Sequence, residues 1–330
     1  MTRKALLGRI SDVDIRLLRV FRAVAACGGV SAAELELNIG RSTISRHLTD
    51  LELRLGVKLC DRGPAGFALT TEGEQVLEAS SRLVAAINDF QARVDEVHQR
   101  LSGRLAIALF DKLVSNPGAR LSDSITAFDE IAPEAVIEIH REPVNVIESG
   151  LLSGRFDLAI IPTHRQSASL DYFPLYSEQM YLYCARGHPL FGRDDAGVRQ
   201  AEVQRHKYAG IGFHSPNMIV SHRLSLTRSA DVFDEEALAA LILSGRYLGF
   251  LPDHYAQDFV DRGEMWRLRP DIYHYQSDHA AIVRRSPRPS RLVKVFLDCL
   301  LRAHGREDTL ESGEPEHGVL AEPVAQAAGD

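Results

Sequence analysis

The spacing of apolar residues between positions 29 and 62 predicts two short helices joined by a tight turn. The first helix covers about 31–37, with Ser31 as its N-cap, and residues 38–40 form the turn. The second helix covers about 41–55. Apolar residues recur along it at spacings of four, three and four, so that one stripe packs against the first helix. The stripe consists of Ile44, Leu48, Leu51 and Leu55.

The opposite face of the second helix carries guanidinium and hydroxyl groups. Arg side chains reach guanine edges and phosphates, and Ser and Thr bond to bases or backbone, so this face suits a helix in the major groove of DNA. The alternative is a helix hairpin whose outer face is only solvated. The candidate DNA-binding residues on these helices are Ser31, Arg41, Ser42, Thr43, Ser45, Arg46 and Thr49.

A hairpin-like segment follows the two helices. Pro64 and Gly66 lie at its tip, and Thr70 or Thr71 caps the long helix that comes next. This continuation predicts a winged helix-turn-helix.

Residues 72–101 read as one long helix with the heptad seam of a coiled coil, because apolar residues alternate at spacings of four and three. Such a seam packs either on a partner helix or on its own globular domain. Its positions are Val76, Ser80, Leu83, Ile87, Phe90, Val94, Val97 and Leu101.

Strands and helices alternate after Gly103, which predicts βαβ units around a mainly parallel sheet. Two long extended stretches, 173–185 and 273–284, interrupt the alternation. The simplest arrangement is two α/β subdomains with a ligand cleft between them. The predicted strands are 104–110, 136–141, 156–161, 207–211, 229–233 and 247–251, and the predicted helices are 118–131, 144–153, 217–224, 234–244 and 290–303.

Charge is unevenly distributed along the 330 residues. The net charge of −7 argues against a generally basic nucleic-acid coat. Residues 1–66 hold eleven Lys and Arg against seven Asp and Glu, whereas 303–330 hold one against seven. The N-terminal end is therefore the expected DNA face, and the acidic tail is expected to be disordered.

Several chemistries lack a motif in this sequence. No signal peptide or membrane-length apolar run is present, so we expect a cytoplasmic protein without a membrane partner. No metal-type spacing, phosphate loop, nucleophile elbow or triad order appears, so we expect no cofactor, no metal and no enzyme activity. The four scattered cysteines read as reduced thiols, and a redox regulator using Cys184 and Cys299 is one alternative.

Several segments resemble the LysR-type transcriptional regulators, and the resemblance covers about residues 14–303. Arg41 stands where that family commonly has Gln, and Gly40 stands where it has a Ser or Thr cap, so the operator sequence does not transfer. The matching segments are Leu17-Leu18-Arg19-Val20-Phe21, Ser31-Ala32-Ala33, Ser45-Arg46-His47-Leu48, Leu51-Glu52, Leu55-Gly56-Val57-Lys58-Leu59 and Leu69-Thr70-Thr71-Glu72-Gly73.

The resemblance implies an α/β fold with an N-terminal winged helix-turn-helix, a long linker helix and a two-subdomain, periplasmic-binding-protein-like effector domain. It places the corresponding boundaries at 1–71 for DNA binding, 72–102 for the linker and dimerisation helix, and 103–304 for the effector domain. Subdomain I is about 103–165 and 277–304, subdomain II is about 166–276, and 305–330 is the tail. The implied partners are promoter DNA, a small-molecule effector, further copies of the chain in a dimer or tetramer, and RNA polymerase. Arg62 and Pro64 in the wing are implied to touch the minor groove or the DNA backbone.

Effectors in such a cleft meet strand ends and helix N-termini. Near the position of Lys112, the family often has a Ser or Thr. In this sequence, the role of that Ser or Thr can pass to Lys112 or Ser115. Acidic Asp111, Glu142 and Asp234 favour an amphipathic or partly cationic ligand, although Asp234 can also serve as a helix cap. The candidate effector-binding residues are Phe110, Asp111, Lys112, Leu113, Ser115, Val144, Thr163, His164, Phe213, His214, Ser215, Phe233 and Phe250. The alternative from another class is a ligand-binding or enzymatic α/β protein whose N-terminal helices serve only assembly.

Overall fold

The computed structural model describes residues 8, 10–63, 66–97, 101–163, 166–193, 197–212 and 216–306. The chain forms two compact units. Of the described residues, the first unit holds those up to 97 together with 152–155, and the second holds the others from 101 to 306. None of the helices in the described ranges has both the length and the apolarity to cross a bilayer.

The N-terminal unit contains the predicted helix pair and wing. Its apolar core includes fully buried Phe21, Val24, Ile44, Leu48 and Leu51, so the predicted stripe does face the neighbouring helices. The elements are α1 (Asp12–Ala26), α2 (Val30–Leu37), α3 (Arg41–Leu55), β1 (Cys60–Gly63), β2 (Gly66–Leu69) and α4 (Thr71–Val97).

The start of α2 differs from the prediction. Gly29, with φ 154°, is the N-cap, and Ser31 is an exposed residue inside the helix. The backbone reverses after α1, where the N–H of Gly29 donates to the carbonyl of Val24 at 3.0 Å. Because only glycine readily adopts such a φ, the turn and the helix start are set by Gly29 rather than by a hydroxyl cap.

The wing is a two-stranded antiparallel hairpin, and Pro64 at its predicted tip lies outside the described residues. Thr70 caps the following helix. Its Oγ1 accepts from the N–H of Gly73 at 2.9 Å and donates to the carbonyl of Lys58 at 2.7 Å. The cap therefore also ties the start of α4 to the chain that leads into β1.

Helix α4 divides the predicted heptad seam. Val76 and Leu83 pack against the core of the N-terminal unit, whereas Phe90 is 67% exposed and Val94 is 40% exposed. Leu101 lies in the second unit and packs there. A single seam from Val76 to Leu101 is therefore wrong, because Val76 and Leu83 pack in the core of the N-terminal unit and Leu101 packs in the second unit. Among the seam side chains that the structure describes, Phe90 and Val94 form an open apolar face.

The second unit has two sheets with helices against them. The strands are β3 (Ser102–Leu109), β4 (Glu134–Arg141), β5 (Leu158–Pro162), β6 (Leu170–Ala185), β7 (Tyr208–Ile211), β8 (Arg228–Val232), β9 (Gly249–Pro252), β10 (Met265–Arg267) and β11 (His274–Arg284). The helices are α5 (Leu121–Ile131), α6 (Val144–Ser153), α7 (Gln200–Val203), α8 (Pro216–Arg223), α9 (Glu235–Leu243), α10 (Asp253–Asp261) and α11 (Arg291–Ala303).

The larger sheet has the order β10-β6-β11-β5-β3-β4, and β9 also pairs with β6. Strand β3 runs parallel to β4 and β5, and β7 runs parallel to β8. The remaining pairs are antiparallel, including the long β6–β11 pair. The prediction of a mainly parallel sheet is therefore wrong, because the two long strands pair with each other.

Separate apolar cores mark two subdomains within this unit. The first subdomain is built on β3, β5, α5 and α11, and Phe128 packs edge-to-face on Phe296 with ring centroids 5.3 Å apart. The second subdomain is built on β7, β9, α9 and β10, with Tyr208 and Phe250 in its core. Strands β6 and β11 belong to both and form the two crossings that the long extended stretches predicted.

Several element bounds also differ from the prediction. Helix α5 begins at Leu121 rather than at 118, because 3-10 turns Leu113–Ser115 and Pro117–Ala119 and the left-handed Arg120 come before it. The short elements α7, α10 and β10 were not predicted. Asp234 caps α9, which is one of the two roles that the sequence allowed, and accepts from the N–H of Ala237 at 2.7 Å. Ser290 caps α11 and accepts from the N–H of Val293 at 3.4 Å.

Candidate DNA-binding surface and effector cleft

The outer face of α3 is polar and accessible. Arg41, Ser42, Arg46 and Thr49 are exposed, and Thr43 and Ser45 are half-buried. Thr49 Oγ1 donates to the carbonyl of Ser45 at 3.0 Å. Among the described residues, the guanidinium groups of Arg41 and Arg46 form no ion pair. Two cations are thus available to an external anion.

The first turn of α3 receives its cap from a neighbouring helix. Gly40 has no side chain to cap the helix, but Glu34 of α2 accepts from the N–H of Arg41 at 2.5 Å. The carboxylate satisfies one of the free donors at this helix end and interacts favourably with the helix dipole. This contact has no local signal in the sequence, because the acceptor comes from the preceding helix rather than from the N-cap position.

Two contacts fix the other end of α3. Glu52 accepts from the N–H groups of Leu59 and Cys60 at 2.9 and 3.3 Å, which joins α3 to β1. Arg54 donates to the carboxylate of Asp14 through Nη2 at 2.8 Å and through Nε. Asp14 is only 1% exposed, and its hydrogen bonds to Arg54 are the main reason that its pKa lies well below the usual range. These contacts hold the outer face of α3 in place relative to α1 and the wing.

The remaining predicted DNA-binding residues are spread around this helix. Ser31 is exposed on α2, and Arg62 lies in β1 opposite Phe67. The side chain of Arg62 and the whole of Pro64 lie outside the described part of the chain.

Asp111, directly after β3, links the two subdomains of the second unit. Its Oδ1 accepts from Arg141 Nη1 at 2.8 Å, and its Oδ2 accepts from the N–H of Glu235 at 2.8 Å. Arg141 ends β4 in the first subdomain, whereas Glu235 begins α9 in the second. The Asp111 carboxylate, only 7% exposed, therefore bonds to the first turn of α9 from across the cleft.

Lys112 also spans the cleft. Its Nζ lies 3.5 Å from Oε2 of Glu236 and 4.4 Å from the centre of the Tyr255 ring. Both partners belong to the second subdomain, so two consecutive residues after β3 contact it.

A second set of polar groups lies where β6 crosses between subdomains. His254 Nε2 lies 3.1 Å from Glu178 Oε2, and Ser115 Oγ lies 3.2 Å from His254 Nδ1. Asn116 Nδ2 donates to the same carboxylate at 3.2 Å. A polar pocket of about 370 Å³ opens beside these groups. Its lining is Asn116, Pro117, Ser177, Glu178, Gln179, Asp253, His254 and Gln257.

The other predicted effector residues do not converge on one place. Leu113, Val144 and Phe250 are 4%, 2% and 1% exposed and pack in apolar cores, so their side chains act in packing. Phe110 is also buried, while Phe233 is 59% exposed. Thr163 Oγ1 donates to the carbonyl of Asp278 at 3.1 Å. His164, Phe213, His214 and Ser215 lie outside the described residues.

Buried acidic and imidazole groups near the crossing strands were not predicted. Glu235 is 5% exposed, and its Oε2 has no hydrogen-bond partner within the described residues. Burial, followed by the charges of Glu178 and Asp111, raises the pKa of Glu235 well above its ordinary value. His279 Nε2 lies 3.7 Å from Glu178 Oε1, and Tyr176 stacks on the His279 ring at 4.8 Å. In the sequence, these residues look like ordinary positions in strands and at a helix start.

Two family models match this arrangement. Residues 15–74 match the bacterial regulatory helix-turn-helix protein, lysR family, and residues 98–305 match the LysR substrate binding domain. The chain belongs to the LysR family. It is a LysR-type transcriptional regulator with a helix-turn-helix DNA-binding domain and an effector-binding domain, as the sequence resemblance predicted.

Known members of the LysR family are similar over most of the chain. The HTH-type transcriptional activator BauR of Pseudomonas aeruginosa is 40% identical over 299 residues, covering 91% of this chain and 98% of BauR. The crystal structure of CbnR, a LysR family transcriptional regulator, has a TM-score of 0.60 at 20% identity and covers 88% of this chain and 99% of its own. Full-length CbnR with its target DNA has a TM-score of 0.58 at the same identity and coverages. At this identity the two structures establish a shared fold.

Proposed function

We propose that the outer face of α3 binds promoter DNA and that a small molecule held between the two subdomains controls this LysR-type regulator. The observation that carries the DNA-binding part is the exposure of Arg41 and Arg46, which form no ion pair with any described residue, on the side opposite the buried stripe of Ile44, Leu48 and Leu51. In this proposal the functional divisions are 1–71 for DNA binding, 72–102 for the linker, 103–304 for effector binding and 305–330 for the tail.

Polar contacts across the cleft support control by an effector. Asp111 and Lys112 of the first subdomain contact α9 and α10 of the second, and a polar pocket opens at the crossing. A ligand that replaces or adds to these contacts changes the relative stability of subdomain arrangements. In a dimer or tetramer, such a change alters the spacing of the recognition helices on DNA and the access of RNA polymerase to the promoter.

The exposed part of α4 supports self-association. Phe90 and Val94 present an apolar face on a helix, and a second copy of the chain would cover it. Phe90→Glu should therefore lower the sedimentation coefficient of the protein. Leu35→Glu, which changes a 92% exposed residue of α2, serves as the matched control and should leave it unchanged. If the wild type, Phe90→Glu and Leu35→Glu all have the same sedimentation coefficient, the exposed face of α4 is not part of the self-association interface.

Capture of genomic fragments tests the DNA-binding part. The purified chain should enrich a few interrupted palindromes, because a symmetric dimer binds two half-sites. Arg46→Ala and Arg41→Ala should each weaken binding to a recovered fragment about ten-fold or more at fixed salt. Arg82→Ala is the control, since Arg82 pairs with Glu78 on α4 and lies away from α3 in the sequence. Unchanged affinity in both α3 variants would contradict the proposal.

A reporter on a recovered promoter tests the effector part. A compound that changes reporter expression should also change the length of DNA protected by the purified protein. Asp111→Asn should alter this response to the compound, because Asp111 links β3 to α9. The DNA binding that depends on Arg46 should remain unchanged in this variant. If no compound changes protection, effector control fails and the DNA-binding proposal stands.

The buried cysteines argue against the redox alternative. Cys184 lies in the second subdomain core and Cys299 in the first, and both are less than 5% exposed. Burial raises the pKa of Cys184 to about 12 and also raises that of Cys299. Thiolates are the reactive form, so these two residues are poorly suited to oxidation.

A further inference from the structure

One buried carboxylate of the cleft has an oxygen atom with no hydrogen-bond partner in the described part of the chain. Glu235 is the first residue of α9, and its N–H donates to Asp111, but Oε2 has no hydrogen-bond partner among the residues that the structure describes. The residue is 5% exposed. Buried polar atoms are nearly always hydrogen-bonded, and an exception indicates a missing ligand, water or ion.

The neighbouring acids already have their own partners. Asp111 is bonded to Arg141, and Glu178 contacts Asn116, His254 and His279. The ammonium group of Lys112 is directed to Glu236 and the Tyr255 ring. Glu235 is therefore the carboxylate of this group that has no cationic partner among the described residues.

The electrostatic influence of Glu235 places it near the crossing strands. Burial, and after it the charges of Glu178 and Glu235, raise the pKa of Tyr176 on β6. Burial raises the pKa of Tyr275 on β11, and the same two carboxylates add to that shift. Glu235 is 5% exposed and its N–H is bonded to Asp111 of the first subdomain, so the residue lies where the two subdomains meet.

We propose that the ligand of this cleft carries a protonated amine that donates a hydrogen bond to Oε2 of Glu235, within the negative field of Asp111 and Glu178. This inference rests on the proposed function, since it names the chemical class of the effector. A charged N–H donor would satisfy the orphan acceptor and neutralise its charge together. A metal ion is disfavoured, because no group of three His, Cys, Asp or Glu in the described ranges is arranged to hold one.

The same arrangement discriminates against simple anions. A ligand with only carboxylate groups would meet the unpartnered oxygen of Glu235, while Arg141 and Lys112 are already engaged by Asp111 and Glu236. A neutral alcohol would donate a weaker hydrogen bond and would not offset the cost of ionising Glu235 in a buried site. Amines should therefore bind better than alcohols or carboxylates of equal length.

Thermal unfolding of the full-length chain tests the inference. The amine probes are propylammonium and butane-1,4-diammonium. Their matched controls are propan-1-ol, butane-1,4-diol, propionate and succinate, all at one ionic strength. An amine present at about ten times its Kd should raise the Tm by about 3–6 °C. Neither the alcohols nor the carboxylates should produce this shift.

Two variants locate the contact. Glu235→Gln keeps the size of the side chain and should lose the amine-dependent shift, while its Tm without probe equals or exceeds that of the wild type. Glu236→Gln removes the same charge from the same helical turn, but that side chain is 72% exposed, so the shift should persist. The inference would be overturned if the amines raised the Tm of Glu235→Gln as much as that of the wild type, or if both variants lost the shift equally. It would also be overturned if the carboxylates raised the Tm more than the amines did, or if the amines did not raise it at all.

DNA protection separates this inference from the proposed function. If an amine binds through Glu235 but no compound alters DNA protection, the amine site stands and effector control fails. If protection responds to a carboxylate and amines do not bind, effector control stands and the amine inference fails.

Discussion

Gly73 occupies a position where even one methyl group cannot fit. A Cβ atom placed there would lie 1.9 Å from the carbonyl oxygen of Leu59 and 3.2 Å from Thr70 Oγ1. The Leu59 carbonyl accepts from the N–H of Thr70 at 3.0 Å, and the Leu59 N–H donates to Glu52. Gly73→Ala must therefore move α4 away from the segment that leads into the wing.

The expected cost follows from these contacts. Overpacking against a fixed backbone costs about 1–3 kcal/mol, and weakening the Thr70–Leu59 hydrogen bond adds about 0.5–1.5 kcal/mol. Alanine recovers about 1 kcal/mol through its higher helix propensity. The free energy of unfolding of the N-terminal unit should fall by about 1–3 kcal/mol, which corresponds to a urea midpoint lower by about 1–2 M.

Two optical probes separate this effect from the rest of the chain. Trp266 is the single tryptophan and lies in β10, so its fluorescence reports on the second unit, whereas circular dichroism reports on the helices of both units. Gly73→Ala should shift the dichroism transition and leave that of Trp266 unchanged. Gly8→Ala is the control, because Gly8 precedes α1 and a Cβ atom there would have open space around it. Superimposable dichroism curves for Gly73→Ala and the wild type would refute the steric argument.

Three further predictions concern ionisable groups. Hydrogen bonds from Arg54 lower the pKa of Asp14, so the stabilising contribution of its carboxylate is complete above its ordinary pKa of 3.8 and is lost as the pH falls. Urea unfolding followed by dichroism from about pH 6 to 3 should show this loss of stability. The pH profile of Asp14→Asn should be flatter. Burial raises the pKa of Glu235, so its contribution is complete below its ordinary pKa of 4.5 and is lost as the pH rises; Trp266-monitored stability should decline above about pH 4.5 in the wild type but less in Glu235→Gln, and parallel profiles would contradict the burial argument. Cys60, Cys184 and Cys299 are buried, so a thiol reagent should react quickly with Cys27 at most until the chain unfolds, and four fast thiols in the native protein would be incompatible with this packing.

Local patterns predicted the main helices and strands because each element obeys rules that act within a few residues. The spacing of Ile44, Leu48 and Leu51 identified the buried face of α3, and the place of Asp234 before α9 indicated its role as a cap. Errors arose where a distant backbone decided the outcome. Gly29 rather than Ser31 starts α2, because the chain reverses after α1.

The effector cleft was predictable only in outline. Residues after β3 were expected there, and Asp111 and Lys112 do reach the second subdomain. Leu113, Val144 and Phe250 were expected beside them, yet their side chains pack in cores. Strand ends are visible in a sequence, but the direction of each side chain depends on the neighbouring strands and helices.

The sequence by itself determined the helix-turn-helix pattern, the two α/β subdomains and the family of regulators, because hydrophobic period, turn residues and capping groups act locally. Only the tertiary structure decided which residues of the α4 seam are exposed, that Arg54 is hydrogen-bonded to Asp14, and which carboxylates lie at the cleft. Glu178 and Glu235 are 57 positions apart, on a crossing strand and a helix start. Their interaction depends on chain topology, since charges far apart in sequence influence each other only after folding brings them together and removes water.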